Sequence, residues 1–322
     1  MLIDQYITES YNDDFVPTNE AWITGENENE LYQITNEAME SYNCLFENLI
    51  FSESIASIQK LNGLDESAEM LLEKTKEGFW KGLKETLIKW KNQIVEFFKK
   101  LWASIRVKVK ASATALDKAA ELIKKNDLTG FTYQGYKWKD SSISTTISNN
   151  AKSLVDEFVM AVEIIRDEGK DDLGSKQGKD LEFYIYGQLV KGGTTRASHK
   201  EAINHIKEDY GCNTDSKDII SASASDITNM ISFLKSFEAN KTIREAEKAL
   251  TENINKSIKE VSALEIKTKE INSAVNAQIN GMKATLKAAQ SLLGTCISLE
   301  KQKYAEYKSA VLAAMHYNNK SK

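Results

Sequence analysis

The amino-acid sequence predicts a mainly α-helical protein, and three observations carry that prediction. Proline occurs once, as Pro17, in 322 residues, so the residue that breaks helices most strongly is nearly missing. Only 15 glycines punctuate the chain, which leaves few turns and favours long elements. Apolar residues recur every three or four positions over long stretches in the first and last thirds of the sequence, the spacing of one face of a helix. The expected architecture is a set of long amphipathic helices and a C-terminal helical bundle or coiled coil, with a small central α+β unit.

Taken in order, the first thirty residues have low hydrophobicity, many acids and no sustained period; they read as an extended or disordered arm. Leu31, Ile34, Ala38, Tyr42, Leu45 and Leu49 then fall at helical intervals, predicting a helix to about Leu61 with an acidic surface. Asn62-Gly63 is a turn signal, after which Asp65 or Ser67 is suited to cap the next helix. From Ser67 to Lys125 the period is clearest: Trp80, Leu83, Leu87, Trp90, Ile94, Phe97, Leu101 and Ile105 form one stripe. Phe79, Ile88, Val95, Phe98 and Trp102 widen it, while charged residues occupy other faces.

Past Asn126 the texture changes. Gly130, Gly135, serines and threonines between Ser141 and Ser148, and the alternating Phe131, Tyr133, Tyr136 and Trp138 suggest short strands. Lys152 to Asp167 reads as helix, Gly169 to Gly178 as a polar loop and Leu181 to Val190 as a strand before Gly192-Gly193. His199 to Asp209 returns to helix with Gly211 as a stop. From Ser216 onward a three-to-four spacing runs from Ile254 to Ile297, predicting long helices in a coiled coil or hairpin, with Gly281 and Gly294 as candidate breaks. The domain reading is therefore an acidic arm over 1–66, a basic amphipathic region over 67–125, an α+β unit over 126–215 and a helical bundle over 216–322.

Charge divides the chain more sharply than composition does. The net charge is -5, yet Met1 to Glu73 holds 16 acidic residues against one basic residue, Lys60, for -15, and the remainder carries +10. The change of sign is abrupt, because Lys74 to Lys110 contains eleven lysines or arginines and three glutamates, for +8. Such asymmetry bears on partners and not on fold. Within it, Lys81, Lys84, Lys89, Lys91, Lys99, Lys100, Arg106, Lys108 and Lys110 are the candidate polyanion-binding residues.

Motifs of catalysis are not visible. Three histidines limit acid-base options near neutral pH, and the phosphate-loop, serine-elbow and zinc-protease patterns do not occur. His199, His205 and Cys212 lie within fourteen residues but at no zinc spacing, so surface or core histidines are the favoured reading. Leu189 to Thr195 places two glycines beside Lys191 and threonines, with spacing suited to a turn rather than a phosphate cradle. Cys44, Cys212 and Cys296 are odd in number and far apart, as expected of reduced thiols. Met1 to Glu20 is acidic where a secretory signal needs a positive start, and no stretch reaches the roughly 18 apolar residues of a membrane span. The expectation is a soluble protein that works by binding, with no enzyme activity, cofactor or metal.

Three readings of the basic helix follow. Its aromatic stripe can be core; it can lie in a membrane interface with lysines on anionic lipid; or its lysines can neutralise nucleic-acid phosphates. The acidic arm can then screen the basic surface until it is removed. Leu64-Asp65-Glu66 followed by Ser67 stands at the acidic-to-basic boundary, and cutting there turns -5 into +8. The related tripeptides Ile7-Thr8-Glu9 and Ile243-Arg244-Glu245 lie away from that boundary, and Leu71-Leu72-Glu73 precedes Lys74. This layout resembles the internal head proteins of large tailed bacteriophages, whose N-terminal propeptides are trimmed by a prohead protease after a hydrophobic-x-Glu tripeptide. The resemblance implies a non-enzymatic virion protein of the capsid interior, assembled in the host cytoplasm, with Glu66 and Ser67 as the processing site and DNA or other virion proteins as partners. The alternative is a membrane-active helical toxin or injected effector acting through Phe79 to Val107.

Overall fold

The computed structural model describes residues 25–168, 179–193, 195–212, 217–237, 241–268, 271 and 273–317. Among these it is mainly helical, in the order α1 (Gly25–Leu61), α2 (Asp65–Lys125), β1 (Thr132–Gly135), α3 (Ile143–Glu168), α4 (Lys179–Lys191), α5 (His199–Tyr210), β2 (Asp218–Ser221), α6 (Ala224–Ser236), α7 (Lys241–Lys267) and α8 (Ser273–Met315). The expected arm over residues 1–24 lies outside the described residues, and Gly25 to Glu30, read with it, already belongs to α1.

Helices α1 and α2 form an antiparallel hairpin. Their turn is closed by the Leu64 N–H donating to the Gln59 carbonyl and the Gly63 N–H to the Lys60 carbonyl, and Gly63 takes φ 72°, a region glycine enters without a Cβ penalty. Neither Asp65 nor Ser67 caps α2. Leu64 holds the cap position without a side-chain bond, and Asp65 and Glu66 lie in the first turn, where their charge favours the N-terminal end of the helix dipole.

At 61 residues, α2 is about 90 Å long and joins two apolar clusters. Phe79, Trp80, Leu83, Leu87, Trp90, Ile94, Phe97, Phe98 and Leu101 are buried in the larger cluster, and Leu116, Ala119 and Ile123 in the smaller. Helix α8 runs through both as well, from Val275 to Leu299 in the first and from Ala310 to Met315 in the second. The aromatic stripe is therefore core. Of the residues that widen it, Ile88 is exposed and Trp102 partly buried.

The C-terminal helices pack together as expected, α7 against α8, but neither Gly281 nor Gly294 breaks α8. Gly281 serves packing instead. A Cβ there would meet the Phe158 ring at 2.7 Å, so the missing side chain admits α3 close to α8. Gly281→Ala is expected to cost about 1–3 kcal/mol by overpacking, read as a lower midpoint in urea.

The central section departs further from expectation. Leu181 to Val190 is part of helix α4 and not a strand, because Leu181, Ile185 and Leu189 share a face that packs on the main core. The serine and threonine cluster enters α3, with Ser144 and Ser148 buried. The sheet has two strands, β1 antiparallel to β2, with Thr132 opposite Ser221 and Gly135 opposite Asp218, so it reaches past the expected unit boundary at 215. Residues of α3, α4 and α5 bury into the same cluster as α7 and α8, and the section has no separate core. Helix α5 stops as predicted: Ser198 and Glu201 form a reciprocal capping box, and Gly211 closes the C-terminus in the left-handed region.

Candidate binding surface

The helical period of α2 decides which lysines meet solvent. Lys81, Lys89, Lys99 and Lys100 are exposed, Lys84 and Lys91 half-buried, while Arg106, Lys108 and Lys110 fall within α2 but their side chains lie outside the described residues. Glu77, Glu85 and Glu96 are exposed too and interleave with the lysines, so the exposed face is less basic than the sequence count. Partners reduce it again. Lys84 pairs with Glu265 of α7, Lys99 with Glu96 at 2.6 Å and Lys100 with Glu30 of α1 at 3.2 Å. Lys81, Lys89 and Lys91 form no ion pair among the described residues.

Helix α1 supplies acids along this surface. Besides the Glu30 pair, Glu37 accepts a hydrogen bond from the Gln93 side chain at 3.2 Å. It is not a loose arm, because Ile34, Ala38, Tyr42 and Leu49 are buried with the α2 stripe, and Ala56 is buried near the turn. The expected leader over 1–66 thus includes a packed helix. Glu66 and Ser67, the candidate processing site, stand exposed beside an equally exposed turn from Leu61 to Leu64.

Where α1 meets α8 the seam is polar. Thr35 donates to Gln290, Tyr42 donates to Asn276 at 3.0 Å, and the Lys283 ammonium nitrogen sits 3.2 Å from the centroid of the Tyr42 ring. Asn276, Lys283 and Gln290 follow one another at seven-residue steps, a heptad line that specifies register more than it adds stability. Lys283 is buried, and burial, with Lys287 adding to it, lowers its amine to about 7. The folded chain therefore holds fewer protons at this site than the unfolded chain between about pH 7 and the ordinary lysine range, and stability rises with pH across that window. Lys283→Met is expected to raise the unfolding free energy by on the order of 1–3 kcal/mol near pH 7 and to flatten its rise between pH 7 and 9. Chemical denaturation at pH 7, 8 and 9 measures both.

A second polar cluster, invisible in the sequence, lies near the end of α8. Glu306 accepts from the Tyr136 N–H at 2.7 Å and the Trp138 indole at 2.8 Å, and Lys217 stands 3.3 Å from its other oxygen. One turn earlier, buried Lys303 lies 3.3 Å from Asp140 and 5.0 Å from the Phe233 ring centroid. Glu300 accepts from Thr242 at 3.0 Å. These groups tie the β1 segment and α7 to α8 through a mix of ion pairs and neutral donors.

The other sequence candidates resolve individually. His199 shares a hydrogen bond with Ser291 at 3.1 Å, His205 lies 3.8 Å from Glu208, and buried Cys212 contacts the Lys207 carbonyl. Among the described residues no three His, Cys, Asp or Glu side chains converge on a metal-sized site. Burial pushes the Cys296 thiol up to about 12 and raises Cys212, which removes their nucleophilic thiolate at neutral pH. Gly192 and Gly193 both take positive φ at the end of α4, the geometry of a chain turn. No helix among the described residues is long and apolar enough to cross a membrane. In comparisons with known proteins, no family model matches this chain, and neither do any curated protein or solved structure.

Proposed function

We propose that this chain is a non-enzymatic bacteriophage virion protein, internal to the head, that binds DNA or neighbouring virion proteins through its basic helical body once an acidic N-terminal leader is cut away. The observation that carries the reading is the reversal of charge in the first turns of α2, -15 before Lys74 and +10 from Lys74 onward. Glu30 and Glu37 lie against the basic helix, so α1 acts as a docked polyanion mimic and not as a dangling tail. Glu66 and Ser67 are exposed in the first turn of α2, so cleavage requires this helix end to fray, and the exposed turn before it supplies access. Cleavage there leaves α1 held, among the described residues, by its packing on α2 and the polar seam on α8, and the mask is lost when α1 departs.

The membrane-active alternative requires Phe79, Trp80 and Trp90 to leave the core in which they are buried, and no observation favours it. Intact mass measurement of the protein taken from its native particle tests the processing step. The expected N-terminus is Ser67, and a chain that still begins at Met1 would remove the leader from the account.

A further inference from the structure

Helix α1 carries two stripes, and among the described residues one is buried and the other exposed. The inner stripe, Ile34, Ala38, Tyr42, Leu49 and Ala56, is buried. The outer stripe steps by four and three residues from Glu40 to Leu61, through Cys44, Glu47, Phe51, Ser54 and Ile58, and every one of these positions is exposed. That alternation is a heptad seam of three turns of the pattern. Phe51 is 67% exposed, Ile58 59% and Leu61 87%, and Ile50 beside them is exposed as well. Large apolar side chains scattered singly on a surface are ordinary, but a line of them at coiled-coil spacing marks an interaction face.

We propose that the outer seam of α1 docks a basic amphipathic helix of another protein, which lays leucine-like side chains against Phe51, Ile58 and Leu61 and sets lysine or arginine against Glu40 and Glu47. Charge selects this occupant. Glu37, exposed three residues before Glu40, adds to the negative charge, and Lys60 is the sole basic residue between Met1 and Glu73. The chain's own residues 1–24 contain five acids and no lysine or arginine, so like-charge repulsion opposes their docking on this seam. The same repulsion opposes the seam of a second copy packing on this one. A helix face that is acidic in its first half, at Glu40 and Glu47, and apolar in its second, at Phe51, Ile58 and Leu61, matches an amphipathic helix of the complementary pattern.

The proposal stands on the geometry of α1 and requires neither DNA binding nor leader removal. The test uses the full chain and two synthetic helical peptides of three heptads, with leucine along one half of the contact line and either lysine or glutamate along the other, followed by fluorescence anisotropy at moderate salt. The lysine peptide is expected to bind at least about tenfold more tightly than the glutamate peptide. Phe51→Ser with Leu61→Ser, both at exposed sites and so without effect on the melting temperature, is expected to weaken it at least about tenfold. Glu40→Lys with Glu47→Lys is expected to invert the peptide preference. Affinity unchanged by both pairs of substitutions would overturn the proposal. So would a dimer of the intact chain in sedimentation that Phe51→Ser with Leu61→Ser dissolves, since the occupant would then be a second copy.

Discussion

Phe98→Ala is expected to destabilise the protein by about 3–5 kcal/mol, seen as a lower urea midpoint with an unchanged slope. Phe98 is fully buried, packs edge to face on Phe97 with ring centroids 5.2 Å apart, and belongs to the larger core cluster. Removing the ring forfeits its transfer free energy and leaves a cavity that the long helices, held at both ends, fill only in part. The same substitution separates the core reading of the aromatic stripe from the membrane reading. A side chain that waits to enter lipid contributes little to folding in water, so a change below about 1 kcal/mol, within the range of surface substitutions, would contradict the burial.

Glu306→Ala is expected to cost a similar amount, about 3–5 kcal/mol, for a different reason. Its carboxylate is almost fully buried, accepts from the Tyr136 N–H and the Trp138 indole, and lies 3.3 Å from the Lys217 ammonium, partners from two segments far apart in sequence. Truncation leaves buried donors without an acceptor, which costs more than the net value of the bonds themselves. Because Tyr136 and Trp138 follow β1 and Lys217 precedes β2, the loss concentrates on the two-stranded sheet. Hydrogen exchange at Thr132 to Gly135 and Asp218 to Ser221 should speed up before exchange in α2 does. Glu306→Gln, which keeps an acceptor, should recover part of the loss. Equal exchange in the sheet of the wild type and Glu306→Ala would show that the carboxylate does not hold this corner.

The α2 helix is legible because eight apolar positions from Trp80 to Ile105 repeat one period without interruption, and tertiary packing buries that face from Trp80 to Leu101. The α1–α2 turn is legible because Asn62-Gly63 is a local signal. Leu181 to Val190 was ambiguous for a physical reason: Leu181, Phe183 and Ile185 alternate, while Leu181, Ile185 and Leu189 fall at helical steps, and packing against the main core selects the second pattern. Gly281 looked like a break because its role depends on Phe158, a residue more than a hundred positions away. Buried charge was hidden for the same cause, since nothing near Glu306 in the sequence announces Tyr136, Trp138 or Lys217. The basic segment was legible as a count but not as a surface. Only the fold reveals that Lys84, Lys99 and Lys100 already have carboxylate partners, and that α1 is packed.

The proposed role of α1 is to mask a surface able to bind a polyanion. It is tested most directly by placing a specific protease site in the Asn62 to Leu64 turn, cutting the folded chain, removing α1, and comparing DNA affinity with that of the uncut chain across a salt series. Shedding the residues before that cut changes the net charge from -5 to +6. The expected result is at least about tenfold tighter binding at low salt, with a steeper fall as salt rises, because more phosphates are neutralised by lysine. Equal affinity and equal salt dependence before and after α1 is removed would contradict the claim.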